Sequence, residues 1–178
     1  MNNKSVYAIA ISEGQTNQIV DSLTKSGFSS NDISVLFPDK ESSHEFSHEK
    51  NTKAPEGAVT GVATGGLLGG TLGLLAGIGA LAIPGVGPLI AAGPLLAALS
   101  GAAAGATLGG ITGGLIGLGL SEIEAKRYEN RIAEGNILIS VLAETGDQVS
   151  RAKDILEKAG AEDISVTSIG EITSRPRA

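Results

Sequence analysis

The only two histidines in the chain stand in His44-Glu45-Phe46-Ser47-His48, the H-E-x-x-H spacing. On a helix, that spacing puts both imidazoles on one face, where they can bind zinc while the glutamate acts as general base. The surrounding SSHEFSHEKNTK has no apolar face to seat a rigid helix, and a third ligand would have to be a carboxylate such as Glu49 or Glu56 in the same polar run. A site drawn from one such run has no outer shell to orient its ligands. His44 and His48 are therefore read as part of a solvated linker, with weak adventitious metal binding as the next reading. No catalytic metal and no cofactor are expected. Other chemistry is equally thin. No lysine lies between Lys53 and Lys126, so the glycine tract carries no G-x-x-x-x-G-K-[ST] phosphate loop, and no G-x-S-x-G elbow occurs. Asp32 and Asp163 occupy matched strand starts, where turn preference explains them better than an acid/base pair. No residue is assigned a catalytic role, and the chain reads as non-enzymatic with no evident small-molecule substrate.

The unusual spacing belongs to glycine. Twenty of the 26 glycines fall between Gly57 and Gly119, inside a stretch of 65 residues from Gly57 to Ser121 that contains no Asp, Glu, Lys, Arg or His. Glycine recurs every fourth residue at Gly57, Gly61, Gly65, Gly69, Gly73 and Gly77, and again at Gly101, Gly105, Gly109, Gly113 and Gly117. A period of four is helical, whereas strand pairing has a period of two. Between the two series, Pro84, Gly85, Gly87 and Pro88 supply a turn. Glycine costs about 0.8 to 1 kcal/mol per helical position against alanine, so the stripe needs an offset, and close helix packing through small-xxx-small faces is the available one. These glycines are read as packing residues of a helical hairpin over 57–120, contacting each other and further copies of the chain.

The elements that present this tract are ordinary. Residues 1–38 read as strand (Val6 to Ile11), helix opened by the capping box Ser12-x-x-Gln15 and stopped by Gly27, and strand (Ile33 to Phe37). Residues 136–172 repeat the order, with a strand at Ile137 to Leu142, a capping box Thr145-x-x-Gln148, a stop at Gly160 and a strand at Ile164 to Ile169. The capping boxes are offset by 133 residues, and Asn31-Asp32-Ile33-Ser34-Val35 matches Glu162-Asp163-Ile164-Ser165-Val166. The expected fold is α+β: a duplicated βαβ unit closing into a ferredoxin-like domain, with the glycine-zipper hairpin inserted. Residues 39–56 form a polar linker, 121–135 a connecting helix opened by Ser121-x-x-Glu124, and 173–178 a tail.

Composition narrows the partners. The chain has 178 residues, 42% hydrophobic and 3% aromatic, with a net charge of −6. No basic patch or stacking platform is present, so nucleic acid is disfavoured. The absence of cysteine suits a reducing compartment, and the N-terminus lacks a signal-peptide pattern, so the protein reads as not secreted. Val59 to Leu81 and Leu89 to Leu120 are each long enough to cross a bilayer, with Lys50, Lys53, Lys126, Arg127 and Arg131 on the flanks. A membrane hairpin with a cytoplasmic platform is the preferred localisation, and a cytoplasmic assembly of mutually buried hairpins is its rival. A homo-oligomer is expected in both cases.

The order of SVYAIAISEGQ to NDISVLFP, then GALAIPGVGPLIAAGP, then SEIEAKRYENRIAEGNILISV and AGAEDISV resembles bacterial general-stress, heat-induced proteins of the YflT-like type. That resemblance implies a stress response in a bacterial cytoplasmic or membrane setting and no catalytic residues. A weaker likeness is to the small membrane subunit of a quinol-oxidising respiratory complex. The expected function is that of a structural, self-assembling stress protein; the alternative is a membrane-anchored accessory subunit or small-ligand sensor.

Overall fold

A computed structural model describes residues 3–38, 78–83, 87–93, 95 and 110–168. They form an α+β fold built on an antiparallel sheet. The strands are β1 (Lys4–Ala10), β2 (Ile33–Pro38), β3 (Ile78–Ile83), β4 (Gly87–Ala92), β5 (Ile137–Ala143) and β6 (Glu162–Ser168). The helices are α1 (Glu13–Lys25), α2 (Gly110–Gly117), α3 (Glu122–Ala133) and α4 (Gly146–Lys158). Six strands lie in the order β3-β4-β2-β5-β1-β6, every neighbouring pair antiparallel.

Local chemistry sets the helix ends. Ser12 accepts from the Gln15 backbone N–H, and the Gln15 side chain accepts from Ile11 N–H at 2.8 Å. Ser121 with Glu124, and Thr145 with Gln148, form complete capping boxes. The four helices α1 to α4 stop alike: Phe28, Leu120, Asn136 and Ala161 each donate backbone N–H to a carbonyl five residues earlier, across a positive-φ glycine at 27, 119, 135 and 160.

Side chains alternate across the sheet. Val6, Ala8, Ile33, Val35, Ile139 and Val141 face one side and pack beneath α1 and α4, through Ile19, Val20, Leu23, Ala152 and Leu156. Gln15 Nε2 donates to the Ala159 carbonyl at 2.9 Å and ties those two helices together. Tyr7, Ile9, Leu36, Leu89, Ala91 and Leu138 face the other side, where Ile111 and Leu115 of α2 and Ala125, Tyr128 and Ile132 of α3 cover them. Burial on both faces explains why β1, β2 and β5 read as near-continuous apolar runs.

The tract from 57 to 120 departs from the helical reading at its centre. Ile78–Ile83 and Gly87–Ala92 are strands paired from Ile78↔Ala92 to Ile83↔Gly87, and β4 joins β2 through Val35↔Ala92 to Pro38↔Leu89. The expected turn thus connects two strands, with Gly87 and Pro88 inside β4; Pro84 and Gly85 lie outside the described residues. The physical reason is visible in the glycine spacing, which breaks off at Gly77 and resumes only at Gly101. Between those points nothing imposes a helical period, and two short apolar runs separated by three residues satisfy a hairpin. The spans expected at Val59 to Leu81 and Leu89 to Leu120 are consequently not single helices, because Ile78 to Leu81 and Leu89 to Ala92 belong to the sheet. Among the described residues no helix is long and apolar enough to cross a membrane.

Candidate functional site

The second face of the sheet carries the unexpected chemistry. Serines alternate with the valines of the first face, in Ser5-Val6, Ser34-Val35, Ser140-Val141 and Ser165-Val166. Register places Ser34 opposite Ser140, Ser140 opposite Tyr7, and Tyr7 opposite Ser165, so a row of hydroxyls crosses four strands. Ser5, Ser34 and Ser140 are buried, and a buried hydroxyl requires a partner. Ser34 Oγ accepts the Leu95 N–H at 3.3 Å, while Ser5 and Ser140 hydrogen-bond the Tyr7 hydroxyl.

Above this row stands Tyr128, its ring centroid 6.1 Å from that of Tyr7 and tilted by 37°. The Tyr128 hydroxyl donates to the Asp163 carbonyl at 2.7 Å and shares a second hydrogen bond with Ser165 Oγ at 2.6 Å. Burial pushes both phenols upward, Tyr128 to about 12; the Ser165 bond works against that rise, Glu124 and Asp163 add to it, and Arg127 opposes it. At ordinary pH both groups are protonated and act as hydrogen-bond donors rather than as bases.

Asp163 marks where the β1–β6 register shifts between Tyr7 and Ile9, and it holds φ at +50°, the left-handed region. Helix α3 grips this irregularity. Arg131 pairs with Asp163 through Nε at 3.3 Å, with Glu134 at 3.6 Å, and with Glu162, while Arg127 reaches Asp163 at 4.0 Å. Between Arg127 and Arg131 in the helix, Glu129 accepts hydrogen bonds from Thr112 N–H at 2.9 Å and from the Thr112 hydroxyl. Thr167 Oγ1 donates to the Gly119 carbonyl at 2.7 Å. Helices α2 and α3 are thereby fastened to each other and to β6.

The residues singled out from sequence are dispersed. His44 and His48, and stripe positions Gly57, Gly61, Gly65, Gly69, Gly73, Gly77, Gly101, Gly105 and Gly109, lie outside the described residues. Gly113 and Gly117 fall in α2. Gly117 is exposed, and a Cβ built there would meet no atom within 4 Å. Two glycines off the stripe are tight: a Cβ at Gly93 would strike the Ile33 carbonyl and lie 2.9 Å from Ser34 Oγ, and one at Gly119 would lie 2.8 Å from the Ser168 carbonyl. Asp32 and Asp163 are not brought together, because β5 and β1 separate β2 from β6. Among the described residues no group of three His, Asp or Glu side chains is placed to hold a metal. The tyrosine pair and the Arg131 cluster escaped sequence reasoning; their one signal was a tyrosine on the sheet-facing stripe Ala125, Tyr128, Ile132 of an otherwise charged helix. Compared with protein-family models, curated proteins and solved structures, the chain finds no match.

Proposed function

We propose that this is a non-enzymatic structural protein in which an α+β platform presents the glycine tract for packing against other copies, in or at a membrane. The observation that carries the reading is the orientation of α2. Ile111 and Leu115 are fully buried on the sheet, and Gly113 and Gly117 sit about 200° and 240° around the helix from Ile111. Ile111 and Leu115 are thus spent on the platform, while on the far side Gly113 is half-buried and Gly117 is exposed. Gly117, exposed and with space around it, needs no glycine for packing within the chain. An outward glycine face at a helix-propensity cost fits close approach by another helix.

The platform itself fits a duplicated βαβ unit of ferredoxin-like type. Its β1–β5 register is symmetric about Tyr7↔Ser140, with Lys4↔Ala143 mirrored by Ala10↔Ile137, and β2-β5-β1-β6 is the strand order that such a duplication produces. The role in a stress response rests on the family resemblance.

The test is flotation of a detergent-free lysate through a density gradient, with particle size measured on the material that stays behind. Flotation reversed by detergent, or a large lipid-free particle, is expected, and Gly69→Leu and Gly117→Leu should each reduce it. A monomer that does not float, or variants indistinguishable from the parent, would sink the proposal.

A further inference from the structure

Helix α2 should not persist alone. Four of its eight residues are glycine, a propensity deficit of about 3 to 4 kcal/mol. Burial of Ile111 and Leu115 supplies about 3 to 6 kcal/mol in the other direction, but burial alone is non-directional and leaves the rotation of so short a helix loosely set.

We infer that Glu129 is the residue that positions α2, acting as its N-terminal cap from the neighbouring helix and fixing which side of α2 faces outward. The geometry is specific. The Glu129 carboxylate accepts from the backbone N–H of Thr112, in the first turn of α2, at 2.9 Å, and from the hydroxyl of the same residue. A carboxylate at a helix N-terminus is favoured by the axial dipole as well as by these bonds. No ionisable residue occurs between Gly57 and Ser121, so a carboxylate cap for α2 has to come from outside the tract. Glu129 follows Tyr128, which is anchored to Asp163 and Ser165, so the cap stands on a fixed base. The chain of contacts runs from the β6 irregularity through α3 to α2. The importance of α2's outward face rests on the assembly reading above; the capping role does not.

The experiment is amide hydrogen exchange on the full chain, with particle size measured on the same samples. Glu129→Ala should raise exchange across 111–118 about tenfold, the scale of a lost cap, while leaving β1 and β5 unchanged. Glu129→Gln, which keeps an acceptor oxygen, should restore most of the protection. Thr112→Val deletes only the hydroxyl contact, should give a smaller rise in the same segment, and carries the comparison should Glu129→Ala fail to fold. Unchanged exchange over 111–118 in Thr112→Val and Glu129→Ala, or Glu129→Gln as damaging as alanine, overturns the inference. Faster exchange over 111–118 with unaltered particle size upholds Glu129 as the cap and instead overturns α2 as an assembly contact.

Discussion

Three effects meet at one atom of Tyr128. Its hydroxyl is buried, donates to a carbonyl at a left-handed residue, and titrates near 12 rather than 10 because burial disfavours the phenolate. The folded state holds that proton more tightly than the unfolded chain, so the contribution is fully present below pH 10 and is lost as pH climbs toward 12. Tyr7, shifted the same way by burial, adds to the slope. Denaturant titrations should therefore show stability falling above pH 10, and Tyr128→Phe should flatten that fall while costing about 1 kcal/mol at neutral pH for the lost hydrogen bonds. A slope unchanged by the substitution would mean that other groups carry it. Arg131 is the companion case. Its side chain is one-quarter exposed and pairs with three carboxylates, so Arg131→Met should cost about 1 kcal/mol, less in high salt, measured as a shift in the denaturant midpoint. Asp163 was legible in the sequence as a turn-type residue at a strand start. Its arginine partners were not, since they lie on α3, at a sequence separation that no local pattern links.

Elements whose ends are decided locally were readable, and those decided by pairing were not. Three S/T-x-x-E/Q boxes and a stop glycine each fix α1, α3 and α4 within a few residues, because caps and left-handed stops are interactions of near neighbours. Strands β3 and β4 carry no such signal. Ile78–Ile83 and Gly87–Ala92 are apolar runs of six residues, too short for periodicity to separate strand from buried helix, and β2 settles the matter by pairing with β4. Gly93 records that decision. It sits at φ +83° just after β4, with the start of β2 against it, and its N-terminal neighbour Ala92 pairs with Val35. Gly93→Ala should therefore destabilise by about 2 kcal/mol or more, combining left-handed strain with a backbone collision, whereas alanine at the exposed Gly117 should leave the platform's melting temperature unchanged or slightly raised. Thermal melts of the two variants decide it. Equal effects would mean that the β4–β2 junction is not as close as described.

At the scale of the molecule, the sheet has two covered faces of different character. One face packs beneath α1 and α4 through an apolar layer, the ordinary solution for a small α+β core. The other is sealed by α2 and α3, and the contacts there include tyrosine, serine, a glutamate cap and an arginine cluster. Directional polar contacts define one arrangement, whereas an apolar cover of the same area would tolerate sliding. That difference matters because α2 and β3–β4 are the described parts of the uncharged tract, and both rest on the platform. The assembly reading then predicts separable effects. Gly117→Leu adds bulk to an outward face, so it should shrink the particle or release it from membranes while the platform melts normally. Gly119→Leu collides with the Ser168 carbonyl at a left-handed residue, so it should lower the melting temperature first and disturb assembly only as a consequence. Sedimentation and thermal melting on the pair distinguish an assembly surface from a structural joint two residues away. If both variants lose stability in parallel, the outward side of α2 has no role of its own, and packing between copies must be sought elsewhere in the tract.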